Sequence, residues 1–154
     1  MKAGLATLVL TIAMGAQAQT SLKDAPATLE MNNWTVLRQV DPMTDKVSCT
    51  GIYKKSPAVQ VSSNGLYIRV AGGLESVTLR FDNEPARAMR LPTTMEKQVR
   101  AIILDGGDYQ KALESTRIRY ESLLLIRGMA SGDLDISGIK EVAAHIANGC
   151  PLPN

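Results

Sequence analysis

Two cysteines, Cys49 and Cys150, bracket most of this 154-residue chain. A bridge between them would force everything after residue 49 to return to that point at the end of the chain. Such a bridge needs an oxidising compartment, and the N-terminus points to one. Met1-Lys2 is followed by the short apolar run "AGLATLVLTIAMG" and then by Ala16-Gln17-Ala18, the small-x-small form that a signal peptidase cuts. Residues 1–18 are therefore read as a secretory signal peptide. The apolar run falls short of the ~20 residues of a spanning helix, and no cysteine follows it as in a lipoprotein. The expected location is periplasmic or secreted, with no stable membrane insertion after cleavage. In that setting Cys49 and Cys150 are expected to pair. A loop of about a hundred residues contributes on the order of 4–5 kcal/mol in the chain-entropy model. The alternative, a catalytic thiol, needs a base. The single histidine, His145, lies near Cys150 but within a helical pattern.

Between the cysteines the chain is punctuated by short alternating segments. In "NNWTVLRQV", Trp34, Val36 and Val40 share one face, with Arg38 interrupting it. "DPMTD" at 41–45 breaks the alternation, because Pro42 presets a turn and Asp41 can bond the turn backbone. "KVSCTGIY" then resumes it and leads Cys49 inward. Ser63-Asn64-Gly65 reads as a hairpin turn between two further strands. "SVTLRFD" is the clearest alternation: Val77, Leu79 and Phe81 face in, while Thr78, Arg80 and Asp82 face out. "NEP" turns the chain and "ARAMRL" is expected to return as a strand. "TTMEKQ" has no clear type, and "VRAIIL" is strand-like. Arg69, Arg80, Arg87, Arg90, Arg100, Arg117 and Arg119 recur on or beside these segments. They read as the wet face of a half-covered sheet, with a basic ligand-binding face as the alternative.

The last third changes period. "DGGDYQKALESTR" reads as a short helix with Asp108 as N-cap. "IRYESLLLIRG" is a strand whose end, Leu123 to Ile126, is expected to be buried, and "DLDI" is another short strand. In "SGIKEVAAHIANGC", Ile139, Val142, Ala143, Ile146 and Ala147 form a helical stripe. Ser137 is its expected cap, and Gly149 and Pro151 end it. The domain reading is a signal peptide over 1–18, a leader over 19–31 that is loose or packed on the domain edge, and one domain over 32–154. The fold class is mainly β: an antiparallel β-sandwich or open barrel, with a short helix and a C-terminal helix packed on it.

Charge and motifs narrow the chemistry. The net charge of +2 gives no reason to expect nucleic acid, and one Trp and one Phe leave few stacking platforms. Asp133, Asp135, Ser137 and Gly138 match four positions of a calcium loop. The twelfth position, which needs a bidentate carboxylate, is Ala144, and Glu141 falls at the ninth. Ser137 and Lys140 spell S-x-x-K without the K-T-G strand that accompanies it in penicillin-binding enzymes. His145 reads as a surface or boundary residue. No catalytic residue, cofactor or metal is assigned. Trp34 reads first as core and otherwise as an anchor for a partner. With Asp41 and Asp45 it makes up the candidate interaction surface.

"W-T-V" at 34–36, "D-P-M-T-D" at 41–45 and Cys49 resemble the opening of small exported bacterial proteins of the invasion-associated locus B type. "DLDISGIKEVAAHI" at 133–146 is similar to their closing strand and helix. A second, more distant likeness is to periplasmic accessory proteins of type VI secretion, with a similar helix before a terminal cysteine. Neither likeness carries catalytic residues. Both imply a β-sandwich interaction module of the cell envelope. The expected function is therefore non-catalytic binding of another envelope protein. The alternatives are a small-molecule or glycan binder, and a small hydrolase of unrecognised type. N-terminal sequencing of the exported protein should read from Gln19, and a mature species retaining Met1 through Gln17 would remove the signal peptide from this account.

Overall fold

The computed structural model describes residues 25–153, so the signal peptide expected over 1–18 and the first part of the expected leader lie outside the described residues. Nine strands and three helices follow in order. They are β1 (Ala27–Met31), β2 (Trp34–Val40), β3 (Val47–Tyr53), β4 (Val59–Val61), β5 (Leu66–Arg69), β6 (Leu74–Phe81), α1 (Thr94–Val99), β7 (Ala101–Leu104), α2 (Gly106–Leu113), β8 (Arg117–Leu124), β9 (Gly128–Asp135) and α3 (Ile139–Ala147). The strands form two antiparallel sheets, one in the order β1-β2-β3-β4-β5-β7 and one in the order β6-β8-β9. The expected β-sandwich with a C-terminal helix is what the chain adopts.

Period-two alternation decides the core. Trp34 and Val36 of β2, Val59 and Val61 of β4, Leu66 and Ile68 of β5, and Ile102 and Leu104 of β7 turn to one face. They meet Val77, Leu79 and Phe81 of β6 and Ile118 of β8 from the second sheet. α3 lays Ile139, Val142, Ala143 and Ile146 on the same core. Gly51 of β3 makes that approach possible. A Cβ there would stand 2.5 Å from Val61 and 2.8 Å from Val142. At the far end of α3, Cys150 is buried and bonded to Cys49, with Cα atoms 6.2 Å apart, inside the range a disulfide spans. The last helix is thus fastened to the second hairpin.

Several local expectations change. Residues 27–31, read as leader, form β1 and pair with β2 at the edge of the sheet. "ARAMRL" runs beside β6 but makes only one bridge, Val77 with Arg90, rather than a strand. "TTMEKQ" is α1, and Val99 and Arg100 end it instead of starting β7. Asp105, not Asp108, is the N-cap of α2, and Gly138, at φ 85°, holds the N-cap of α3 in place of Ser137. The Leu123–Ile126 run is not a buried strand end. Leu125 is 73% and Ile126 80% exposed, because β8 stops at Leu124 and the next residues turn into β9. Their amides donate to Gly73 O at 3.0 Å and Gly72 O at 3.1 Å, so the backbone is held while the side chains face solvent.

The bridge is testable by thiol chemistry. The unfolded, unreduced mature protein should show no free thiol. Cys49→Ala and Cys150→Ala should each lower stability by about 2–4 kcal/mol, the usual range for a disulfide. The double variant should lose no more than either single one in denaturant melts, since all three remove the same bond. Additive losses would show that the two residues act separately.

Candidate functional site

A concavity of about 520 Å³ lies on the outer face of the larger sheet beside α1. A local signal builds it. Thr93-x-x-Glu96 after Pro92 is a capping box. Thr93 Oγ1 accepts from Glu96 N at 3.2 Å, and Glu96 Oε2 accepts from Thr93 N at 2.8 Å. The helix it starts is short and closes at Arg100 in the left-handed region, φ 54°. The chain can then enter β7 at once.

Glu96 does more than cap. Its side chain is 1% exposed and meets Arg90 in a two-pronged ion pair, with Nη1 to Oε2 and Nη2 to Oε1 both at 2.8 Å. Oε1 also accepts from Ile103 N of β7 at 2.9 Å. Burial pushes this carboxyl up, but the Arg90 guanidinium and the amides of Ile103 and Thr93 outweigh it, so the group sits below its usual range. A buried carboxylate with every lone pair engaged is a fixed charge and not a base waiting for a proton.

With Glu96 holding the inner side of α1, residues one turn apart on its outer side face water. Met95 is 57% and Val99 46% exposed, and both line the groove. The floor is half-buried Tyr67 of β5, paired across the sheet with Ile103 of β7 and with Gln60 of β4. Arg69 and Asp105 stand on the rim. Among the described residues Arg69 has no ion-pair partner, and the Asp105 side chain makes no cap bond to α2. The arrangement offers an apolar strip with one cation and one anion at its margin.

Of the residues singled out from sequence, Arg69 lines the groove and the other candidates fall elsewhere. Trp34 is fully buried, edge-on to Tyr53 with ring centroids 5.3 Å apart, and gives no surface to a partner. Asp41 Oδ1 accepts from Met43 N at 2.8 Å and Thr44 N at 3.2 Å, the turn role its position predicts. Asp45 is exposed at φ 54° in the same turn. Asp133 pairs with Arg117, whereas Asp135 takes Asn33 Nδ2 at 2.9 Å and Ser137 Oγ at 2.7 Å. The two carboxylates therefore serve different partners, and Ser137 is tied to Asp135 rather than to Lys140. His145 Nε2 lies 3.0 Å from Thr28 Oγ1, joining α3 to β1. Cys49 and Cys150 are bonded to each other. The groove shares none of these residues. Its one advance signal was the capping box, which sets α1 and therefore which side chains flank the sheet.

No family model, curated protein or solved structure matches the chain.

Glu96 gives a pH prediction with a definite sign. Its folded-state pKa is depressed, so its stabilisation is fully present above the unfolded value of about 4.3 and is lost as pH falls through the lower folded value. Glu96→Gln leaves Arg90 without its partner and should cost roughly 3–5 kcal/mol at neutral pH. Its loss of stability below about pH 4.3 should be shallower than that of the parent. Parallel acid limbs in urea melts of the two proteins would remove Glu96 from this role.

Proposed function

We propose that this protein is exported to the periplasm and acts there by binding another protein of the cell envelope, without catalysing a reaction. The observation that carries the reading is the apolar outer side of α1. Met95 and Val99 lie open beside Tyr67 and Ile103, and the exposed Met89 and Leu91 precede the helix. Contiguous apolar surface with a polar rim is costly to leave in water and marks contact sites. Methionine adapts its shape to different partners. The Cys49–Cys150 bond supports an oxidising compartment. Among the described residues no helix is long and apolar enough to cross a membrane.

A second reading, a small-molecule or glycan binder, draws on the same groove. Its volume lies within the roughly 300–1,000 Å³ of ligand pockets, and Arg69 and Asp105 could orient a polar ligand. The two readings part on the outer side of α1. A photo-reactive residue at position 95, used in living cells, should give a discrete protein adduct. Met95→Asp combined with Val99→Asp should weaken that complex tenfold or more, since each buried interface anchor is worth about 1 kcal/mol or above. Both side chains are exposed, so melting should be little changed. An adduct-free cell, with melting raised by a sugar or small metabolite, would favour the ligand reading and overturn the protein-partner one.

A further inference from the structure

β5 and β8 end, and β6, β7 and β9 begin, at one end of the molecule. The β8–β9 hairpin closes there, and its side chains are unlike those of an ordinary water-facing turn. Leu125 and Ile126 stand open at its tip. Leu123 and Met129, directly opposite each other across the two strands, are exposed just behind them. An exposed apolar patch of this kind marks contact with a protein or a membrane. The backbone beneath it is satisfied, with Leu125 N donating to Gly73 O at 3.0 Å and Ile126 N to Gly72 O at 3.1 Å. The tip can therefore leave water without stranding these two amides, as a medium without hydrogen-bonding groups requires.

The charge around the tip is mainly positive. Segments 69–75, 99–101 and 123–129 meet here, and they hold Arg69, Arg100 and Arg127 against one carboxylate, Glu75. Val70 N donates to Arg100 O at 2.8 Å, which brings that residue beside the Gly72–Gly73 turn. The Arg127 stem passes over the same turn: a Cβ on Gly72 would stand 3.3 Å from its Cγ. All three arginines are exposed, and none has an ion-pair partner among the described residues. Arg87, Arg90 and Arg117 each have one.

We propose that this end of the molecule docks on an anionic phospholipid surface, with Leu125 and Ile126 entering the apolar margin and Arg100 and Arg127 meeting the phosphates. Three features select this occupant. The apolar groups sit on a projecting turn, not in a groove or on a flat face. The aromatic residues that anchor protein contacts are absent from the segments that form it. Unpaired cations flank the apolar tip, which suits an interface whose hydrocarbon lies just beneath its negative charge. The docking is peripheral and reversible, and it uses neither Met95 nor Tyr67. It therefore stands or falls separately from the partner reading above. Arg69 also borders the α1 groove, so the test leaves it in place.

The mature, disulfide-intact protein should co-sediment with vesicles of mixed phosphatidylglycerol and phosphatidylcholine, and far less with pure phosphatidylcholine. Added salt should release it. Leu125→Asp combined with Ile126→Asp should weaken binding roughly tenfold or more. Arg100→Glu combined with Arg127→Glu should weaken it roughly thirtyfold or more and flatten the salt dependence. All four side chains are exposed, so melting should be unchanged. Met95→Asp should bind vesicles as the parent does, and its failure to do so would move the contact to the α1 groove and overturn the proposal. No binding to phosphatidylglycerol vesicles, equal binding to neutral ones, or binding that survives either pair of substitutions would also overturn it. So would a photo-reactive residue at position 126 that captures one discrete protein in cells while the purified chain binds no lipid.

Discussion

The Glu96 carboxylate holds together segments that have little other reason to meet. It joins the Arg90 segment along β6, the start of α1 and the outer amide of β7. β6 belongs to one sheet and β7 to the other, so this group helps set how the two sheets meet. Burying a carboxylate is costly unless every lone pair is engaged. Four donors from three segments meet that requirement. None of them can move away without leaving a buried charge short of a partner, which gives the arrangement its specificity.

The segment between β6 and α1 shows the same device at lower cost. Residues 82–91 have no regular structure of their own, yet charged side chains pin them at short intervals. Asp82 Oδ1 accepts from Thr116 N at 3.0 Å and Arg117 N at 2.9 Å. Burial raises the Asp82 carboxyl, and these bonds outweigh it and hold it below its usual range. Glu84 meets Lys111 and Arg87 meets Asp108, both on α2. The Arg87 guanidinium also lies over the Phe81 ring, 4.7 Å from its centroid. Exposed pairs of this kind are individually worth little. Their effect here is positional: they keep the crossing beside β6 and deliver Arg90 to Glu96.

What could be read in advance follows from the range of the forces involved. Alternation and helical spacing are local, and Val77, Leu79 and Phe81 or Ile139, Val142 and Ile146 declare their faces without any knowledge of partners. The disulfide was legible because the chain offers only two cysteines. Leu123 to Ile126 misled because an unbroken apolar run is ambiguous between a buried strand and an exposed turn. Only the Gly72–Gly73 carbonyls, some fifty residues earlier, decide it. Arg87, Arg90 and Arg117 looked like the wet side of a sheet, and their partners Asp108, Glu96 and Asp133 are likewise set by tertiary structure. The groove was missed for the same reason. Its floor comes from β4, β5 and β7 and its wall from a helix whose capping box went unread.

The distribution of polar and apolar groups bears on what the surface can do. Asp82, Glu96, Asp133 and Asp135 all have depressed pKa values with named protein partners, so their charge is already committed to holding the chain. Asp135 illustrates this: Ser137 and Asn33 hold its carboxyl low while its own carbonyl closes the end of β9. The less committed surface is apolar or backbone: Met95 and Val99 over the groove, Leu125 and Ile126 at the hairpin, and the outward amides between 129 and 133. Apolar side chains and unpaired strand groups gain by being covered, whereas an ion pair already made gains little. The uncommitted apolar side chains fall in two separate places, Met95 and Val99 beside the larger sheet and Leu125 and Ile126 at the hairpin of the smaller one.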